Sequence, residues 1–251
     1  METNVIYNED CLETLKRLED ESIDLIVTSP PYNKGAYASA TTPHVKGETW
    51  GKMKGRRIAY DIYEDCMPPE EYEEWQKTLI RECLRVLKPT GSFFYNHKDI
   101  LYNGSIVPPK WVYEFPIHQQ IVWDRANTPA IDPHYFFPIT EYIYWFVKDA
   151  KKMIFDRDKS GFKTNIFKVN ATLERNSHPA PFPMKLINSL IASCTKPEAV
   201  IYDPFMGSGT TALSTINVGE GRSYIGSEIS PAYCEMAEKR IKEATAQLRL
   251  F

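Results

Sequence analysis

The chain has 251 residues, of which 43% are hydrophobic and 25% charged, and its formal net charge is −3. This length is enough for one large α/β domain or two small ones, and the composition is typical of a soluble globular protein. The charge excludes a chain that is basic throughout. It does not exclude nucleic acid as a partner, because a local basic patch decides that contact.

The cysteines and the first residues indicate where the protein works. The five cysteines are scattered and never form a CxxC pair, which argues for reduced thiols and against a structural zinc site. The first residues are acidic from position 2, unlike a signal peptide, and no apolar run reaches the length of a membrane span. We therefore expect a cytoplasmic protein that has no metal site and no membrane partner.

The first elements in chain order are a strand, a helix and a second strand. Val5–Tyr7 predicts a short strand, and leucines at helical spacing predict an amphipathic helix over residues 9–20. The apolar run Leu25–Val27 predicts a second strand, which leads directly into TSPPY at residues 28–32. Two adjacent prolines can continue neither a strand nor a helix interior, so this buried strand ends in a rigid turn.

Residues 34–60 show no helical or strand period and predict a long, basic loop. A helix is predicted over residues 68–91, which end in Lys-Pro-Thr-Gly, and apolar runs predict three strands over residues 92–97, 118–125 and 141–148. The loop between the last two strands contains the aromatic run at residues 134–137, which either lines a ligand pocket or belongs to the core. Residues 149–177 are polar, basic and aromatic, without a core periodicity.

The last part of the chain alternates helices with strands. The pattern predicts helices over residues 181–198, 210–219 and 230–248, and strands over residues 199–205 and 222–228. Strands thus alternate with helices along most of the chain. This alternation predicts an α/β fold with a mostly parallel, doubly wound sheet.

A glycine-bearing turn follows the strand at residues 199–205. Gly207 and Gly209 allow a tight turn and a close ligand, and Thr210 and Thr211 can cap the next helix. No lysine follows, so this is not the phosphate-binding GxxxxGK[ST] loop, and a small molecule with a carboxylate fits the helix N-terminus better. Glu228 ends the next strand, where an acid can hold a ribose diol. The alternative interpretation of these residues is that Gly207 and Gly209 form an ordinary turn and that Glu228 is a solvated acid at a strand end.

Three segments resemble motifs of the amino-group DNA methyltransferases. DPFMGSGTT at residues 203–211 resembles their S-adenosylmethionine motif, and TSPPY at residues 28–32 resembles their catalytic [DNS]PP[YFW] motif. HPAPFP at residues 178–183 resembles the stretch that precedes the cofactor motif. Because the catalytic motif comes first and the cofactor motif last, the chain resembles the permuted β class of the family over nearly its whole length.

The resemblance implies a circularly permuted, doubly wound α/β fold of the Rossmann-like methyltransferase type. Its sheet has seven strands, which are mostly parallel and include one reversed edge strand. The fold brings both motifs to the same edge of this sheet. The resemblance also implies one catalytic domain over residues 1–251, in which residues 34–60 form a DNA-contacting loop and residues 149–177 a small target-recognition region. S-adenosylmethionine is the cofactor that it implies.

The resemblance assigns residues to the site. The cofactor-binding residues that it implies are Asp10, Asp203, Pro204, Phe205, Gly207, Ser208, Gly209, Thr210, Thr211 and Glu228. The catalytic residues that it implies are Ser29, Pro30, Pro31 and Tyr32. The basic residues that we expect to bind DNA are Lys34, Lys52, Lys54, Arg56, Arg57 and Lys163. Asp10 also suits a helix N-cap, a role that needs no ligand.

The TSPPY turn suits methylation of an exocyclic amine. The lone pair of such an amine is delocalised into the base, and two acceptors aimed at its N–H bonds favour the pyramidal, nucleophilic geometry. Ser29 Oγ and the Pro30 carbonyl are the expected acceptors, and the prolines hold that carbonyl rigidly. We expect Tyr32 to stack on the target base after it flips out of the duplex. Methylation at cytosine C5 is excluded, because no cysteine follows a proline.

Ser29 favours cytosine N4 as the target, because in this family serine at this position is typical of N4-cytosine enzymes and aspartate of N6-adenine enzymes. Adenine N6 is the alternative with the same mechanism. The expected partners are double-stranded DNA and a restriction endonuclease of the same site, and the expected state is a monomer or homodimer. Methylation of RNA or of a protein glutamine, and an inactive DNA-binding subunit, are the remaining alternatives.

Overall fold

A computed structural model of the chain describes residues 1–37, 65–102, 105–126, 136–170 and 182–248. The strands in these residues are β1 Val5–Tyr7, β2 Ile23–Thr28, β3 Leu87–His97, β4 Ile100–Tyr102, β5 Ser105–Val107, β6 Ile117–Asp124, β7 Thr140–Phe146, β8 Ile166–Lys168, β9 Val200–Asp203 and β10 Ser223–Ser227. The helices are α1 Cys11–Arg17, α2 Pro69–Val86, α3 Arg157–Ser160, α4 Met184–Cys194, α5 Thr210–Val218 and α6 Pro231–Leu248. Two 3₁₀ turns lie at Lys34–Tyr37 and Lys110–Glu114. Of the helices in the described ranges, none combines the length and the apolar character needed to cross a membrane.

Eight of the described strands form one sheet in the order β1-β10-β9-β2-β3-β7-β6-β8. β7 is antiparallel to both of its neighbours, and the other pairs are parallel. The predicted α/β class with a mostly parallel sheet is confirmed. Two details differ from the expectation: β8 adds an eighth strand, and the reversed strand lies inside the sheet because β6 and β8 continue beyond it.

The sheet is buried on both faces, as a parallel sheet requires. Along β2, Ile23 and Ile26 belong to one apolar cluster with residues of α1 and α2. Leu25 and Val27 belong to a second cluster with residues of α4. This two-sided burial explains why β2 is a continuous apolar run in the sequence, and it gives three layers of helix, sheet and helix.

The two motifs meet because β2 and β9 are neighbours in the sheet. Leu25 pairs with Ile201 and Ile26 with Tyr202, in parallel. From β2 the chain goes on to β3 on one side, and from β9 it goes on to β10 on the other. The ends of β2 and β9 therefore border a topological switch point, the place where open α/β sheets bind ligands.

The start of β3 differs from the sequence prediction, which gives residues 87–91 to the end of the preceding helix. Ile23 pairs with Leu87 but Leu25 pairs with Ser92, so the intervening residues form an irregularity in the ladder. Gly91 is needed there, because a Cβ at this position would lie 2.7 Å from the Asp24 carbonyl oxygen. The close approach of two backbones therefore overrides the helical pattern.

Residues 149–170 are part of the fold, although their sequence shows no core periodicity. β8 extends the main sheet beside β6. Phe167 and Val169 are both 7% exposed, and the Phe167 ring stacks on Phe162 with the ring centroids 4.1 Å apart. Two buried residues are too few to produce a detectable period. A target-recognition role for this region stays a prediction, and residues 171–177 lie outside the described residues.

We expect Phe167→Ala to lower the free energy of unfolding by about 3 kcal/mol, because it leaves a cavity under the sheet edge. Ile166→Ala is the matched control, since Ile166 is the preceding residue of β8 and is 49% exposed. The control should cost less than about 1 kcal/mol. Urea unfolding of both variants measures the difference. Equal, small losses would show that this edge does not belong to the cooperative core.

Candidate active site

The Asp203 carboxylate joins the two motifs at the end of β9. Its Oδ1 accepts hydrogen bonds from the Thr28 hydroxyl at 2.9 Å and from the Phe205 backbone N–H at 3.0 Å. Its Oδ2 accepts from the Thr211 hydroxyl at 2.6 Å. Thr28 precedes Ser29, whereas Phe205 and Thr211 flank the glycine-bearing turn. One carboxylate thus holds the end of β2, the glycine-bearing turn and α5 together.

Asp203 is almost fully buried, at 4% exposure. Burial raises the pKa of its carboxyl to about 6 from the ordinary 3.8, although the hydrogen bonds from Thr211, Phe205 and Thr28 act in the opposite direction. Both of its oxygens are engaged by donors of the protein. The geometry therefore gives Asp203 a role in positioning the turn, and its predicted contact with the cofactor stays a prediction.

The entry into α5 differs from the predicted threonine cap. Gly209 is the N-cap, with φ of 84° and no side-chain hydrogen bond to the helix. Thr211 does not cap the helix, because its hydroxyl donates to Asp203. A Cβ at Gly209 would lie 2.9 Å from the Ala237 Cβ of α6, so glycine is required here for a left-handed conformation and for helix packing.

Glu228 lies directly after β10, beside the glycine-bearing turn. Its Oε2 accepts from the Gly207 backbone N–H at 2.8 Å, and its Oε1 accepts from the Ser230 backbone N–H at 2.9 Å. Burial raises the pKa of the Glu228 carboxyl, against the lowering effect of these two backbone donors. Asn8 fixes the same segment by donating to the Glu228 and Ile229 carbonyl oxygens at 2.8 and 3.0 Å.

The other predicted cofactor residues lie along this edge with different local roles. Ser208 is 3% exposed, and Arg240 of α6 donates to its carbonyl oxygen and to its hydroxyl. The Phe205 ring packs edge-on against Trp75, with the centroids 5.7 Å apart. Asp10 caps α1, where its Oδ1 accepts from the Leu12 N–H at 2.8 Å. Pro204 and Thr210 are buried in the same turn.

The TSPPY turn is held from outside by α2 and β3. The Tyr72 hydroxyl donates to the Pro31 carbonyl oxygen at 2.6 Å and lies 3.0 Å from His97 Nε2. Because the single tyrosine proton goes to Pro31, His97 Nε2–H is the donor to Tyr72. His97 Nδ1 in turn accepts from the Lys98 backbone N–H at 2.9 Å. This chain of hydrogen bonds fixes the proline peptide rigidly.

Ser29 and Tyr32 belong to a buried polar network that the sequence analysis did not predict. The Ser29 Oγ and the Tyr32 hydroxyl are 2.8 Å apart, and Tyr32 donates to Glu141 Oε2 at 3.3 Å. Asn96 Nδ2 donates to Tyr32 at 2.6 Å and to Glu141 Oε2 at 3.0 Å. Arg125 donates to Glu141 Oε1 at 2.6 Å.

Asn96, Glu141 and Arg125 come from three different strands, β3, β7 and the end of β6. Asn96 is 1% exposed and Glu141 6%. Asn96 and Glu141 lie 64 and 109 residues from Tyr32, so no short motif could have identified them. The one available signal was a polar residue inside each of two aromatic strands, a position where a polar side chain needs a partner.

Tyr32 is 6% exposed, so its ring face is not open in this conformation. The His97 ring lies 4.9 Å away between centroids, and Lys98 Nζ lies 5.5 Å from the Tyr32 centroid. Stacking of a base on Tyr32 therefore requires a rearrangement that uncovers the ring. The structure gives its hydroxyl a separate role in the network with Ser29.

The predicted DNA-binding residues are largely beyond the described ranges. Lys52, Lys54, Arg56 and Arg57 lie outside them, and Lys34 begins a 3₁₀ turn. Lys163 is exposed just before β8. In the aromatic run at residues 134–137, Phe136 and Phe137 are 99% and 55% exposed. A core role for these two phenylalanines was therefore a wrong expectation.

Comparison with known proteins identifies related sequences. A family model described as DNA methylase matches residues 23–239. The chain is 30% identical to the type II methyltransferase M.ScaI of Streptomyces caespitosus, over 97% of this chain and 82% of that protein. It is 27% identical to the DNA adenine methyltransferase YhdJ of Escherichia coli (strain K12), over 97% of this chain and 84% of that protein.

Solved structures share the fold. The cytosine-N4-specific PvuII DNA methyltransferase superposes with a TM-score of 0.69 at 20% identity, covering 97% of this chain and 92% of that chain. The complex of M1.HpyAVI with SAM superposes with a TM-score of 0.62 at 23% identity, covering 94% and 98%. At these identities the comparison establishes the fold, and the predicted methyltransferase-type sheet is confirmed.

We expect Asp203→Asn to remove a pH dependence of stability. Because the folded-state pKa of about 6 exceeds the ordinary 3.8, the contribution of Asp203 to stability is fully present below pH 3.8 and is lost as the pH rises through 6. The difference corresponds to about 3 kcal/mol. Between about pH 4 and pH 7, the free energy of unfolding of the wild type should fall by that amount relative to Asp203→Asn. Urea unfolding of both proteins at several pH values measures this difference. Parallel pH profiles would contradict the burial of an ionisable carboxyl.

Proposed function

The chain belongs to the DNA methylase family, and we propose on that basis that it methylates the exocyclic N4 amine of cytosine in double-stranded DNA. The observation that carries this proposal is the Ser29 hydroxyl. It lies at the end of β2, one residue after the threonine that is hydrogen-bonded to the cofactor turn. The Ser29 hydroxyl is thus a neutral hydrogen-bond acceptor close to the glycine-bearing turn, where we propose that the methyl donor binds.

S-adenosylmethionine is the cofactor, and the residues at the ends of β9 and β10 fit it. When bound, it supplies an electrophilic methyl group on a sulfonium sulfur. The Glu228 carboxylate is partly buried beside the Gly207 turn, where it suits a ribose diol and where burial raises its pKa. Gly207 has a φ of 52°, which turns the backbone at this point without a side chain in the way. Asp203 and Arg240 hold the turn around it.

The chain's own contribution to the reaction is a pair of rigid acceptors. In the proposed reaction, Ser29 Oγ and the Pro30 carbonyl oxygen accept hydrogen bonds from the two N–H groups of the target amine, which favours a pyramidal nitrogen and stabilises its developing charge. The hydrogen bond from Tyr72 to the Pro31 carbonyl and the bond from Thr28 to Asp203 support the turn at both ends. Little reorganisation is then needed during the reaction.

Adenine N6 is the second candidate target. An adenine methyltransferase is among the relatives, and it is similar over 97% of this chain. The acceptor pair serves either amine, because both bases carry the same kind of exocyclic nitrogen. Serine in place of aspartate at position 29 is the feature for which we favour cytosine.

We propose that DNA contact comes from two basic parts of the chain, which follow the TSPPY turn in sequence. The candidates are the basic residues of loop 34–60 together with Lys163, which is exposed beside β8. Lysine and arginine side chains bind the phosphate backbone through charge and position the duplex. Because type II methyltransferases are among the relatives, we propose a restriction endonuclease of the same site as a partner, and a cytoplasmic location.

Mass spectrometry of nucleosides tests the proposal. Purified protein, S-adenosylmethionine and unmethylated genomic DNA should yield N4-methylcytosine. Ser29→Ala is the matched control, and we expect it to slow product formation by about 10²-fold, because it removes one of two preorganised acceptors. The affinity for S-adenosylmethionine should stay unchanged in this control.

N6-methyladenine as the product would reject cytosine and transfer the assignment to the second candidate. If no methylated deoxynucleoside forms, DNA methylation is rejected. That result would favour RNA or a protein glutamine as the substrate, or an inactive binding subunit. Wild-type rates in Ser29→Ala would contradict the role assigned to the hydroxyl.

A further inference from the structure

We propose that Glu141 is a positioning residue that makes the Ser29 hydroxyl a hydrogen-bond acceptor toward the target amine. This inference rests on the proposed function and deepens it, because it concerns the same site. A serine hydroxyl can donate as well as accept, so an amine acceptor built from serine needs its proton directed elsewhere. The network around Tyr32 supplies that direction.

Glu141 fixes one end of the network. Its Oε1 is paired with the Arg125 guanidinium at 2.6 Å, and an ionised carboxylate can only accept hydrogen bonds. Its Oε2 lies 3.3 Å from the Tyr32 hydroxyl. The Tyr32 proton therefore points toward Glu141 and not toward Ser29.

Asn96 fixes the orientation from a second side. Its amide nitrogen lies 2.6 Å from the Tyr32 oxygen and 3.0 Å from Glu141 Oε2, and an amide group has two hydrogens to give. The reversed amide would place its oxygen against the carboxylate. Asn96 Oδ1 is buried and has no hydrogen-bond partner among the described residues. The same nitrogen also lies 3.3 Å from Ser29 Oγ, so its two hydrogens face the three oxygens of Tyr32, Glu141 and Ser29.

The direction of the Ser29 hydroxyl follows from these two constraints. Tyr32 gives its only proton to Glu141, so it cannot donate to Ser29. The 2.8 Å contact between Ser29 Oγ and the Tyr32 oxygen is then a hydrogen bond that Ser29 donates. Asn96 Nδ2 donates to Ser29 Oγ at 3.3 Å, and the second lone pair of Ser29 Oγ is left for an N–H of the target amine. Glu141 acts on the reaction through Tyr32 and Ser29 and needs no contact with the base.

A double-mutant cycle tests the inference. We expect Glu141→Gln to lower kcat about 10-fold and to leave the KM values for DNA and S-adenosylmethionine within 2-fold. A glutamine amide can donate to the Tyr32 oxygen, so that Tyr32 donates its proton to Ser29 Oγ and the serine hydroxyl no longer donates to Tyr32. Tyr32→Phe should lower kcat to a similar extent. In the Tyr32→Phe background, Glu141→Gln should change kcat by less than 2-fold, because the connecting hydroxyl is already absent.

Independent, multiplying losses in the double variant would overturn the inference, because a structural role of Glu141 does not depend on the Tyr32 hydroxyl. If Glu141→Gln does not fold, Tyr32→Phe alone decides, since it leaves the ion pair with Arg125 in place. An unchanged kcat in Tyr32→Phe would overturn the inference.

Neutron diffraction from deuterated wild-type crystals separates this inference from the proposed function. A deuterium of Ser29 that points to the Tyr32 oxygen, and one of Tyr32 that points to Glu141, would support the inference. The opposite direction would overturn it, whatever the substrate is. Failure of the wild type to methylate DNA would reject the proposed function on its own evidence.

Discussion

The Asp203 carboxylate is the contact on which the rest of the site depends. Thr28 and Asp203 are 175 residues apart in the sequence. Their strands, β2 and β9, are nevertheless neighbours and end side by side at one edge of the sheet. Asp203 uses this proximity to bind Thr28, the Phe205 amide and Thr211 at once. Because the carboxylate is buried, each of these donors compensates part of the free-energy cost of its charge. The TSPPY turn and the glycine-bearing turn are therefore one hydrogen-bonded unit.

The residues whose signal is local were predictable from the sequence. β2, β9 and the two turns follow from apolar runs that end in proline and glycine, and their edge of the sheet follows from parallel topology. Phe167 of β8 was missed because a strand of three residues has no measurable period. Thr211 was assigned to the wrong partner, since its hydroxyl serves Asp203 once Gly209 has begun the helix. Asn96 and Glu141 were missed because only strand pairing brings them to Tyr32.

Tyr32 combines two requirements that differ in geometry. Its hydroxyl is held by Ser29, Asn96 and Glu141, whereas base stacking needs an open ring face. In the present conformation the ring is covered, and His97 and Lys98 lie beside it. A base can enter while the hydroxyl stays bound, provided that the segments over the ring move and the polar network does not. The predicted base stacking would therefore need the segments over the ring to move, while the network on β3 and β7 stays in place.

Titration calorimetry with S-adenosylmethionine on Thr28→Val tests the central role of Asp203 most directly. Thr28 lies at the end of β2, and its hydroxyl donates to the Asp203 carboxylate, through which we expect it to influence the glycine-bearing turn. We expect a loss of affinity of about 10-fold, because one of the donors that hold the carboxylate is removed. Thr245→Val, which removes a hydroxyl that donates to the Ile241 carbonyl oxygen within α6, should bind as the wild type does. Wild-type affinity in Thr28→Val would contradict the claim that Asp203 joins the two motifs into one unit.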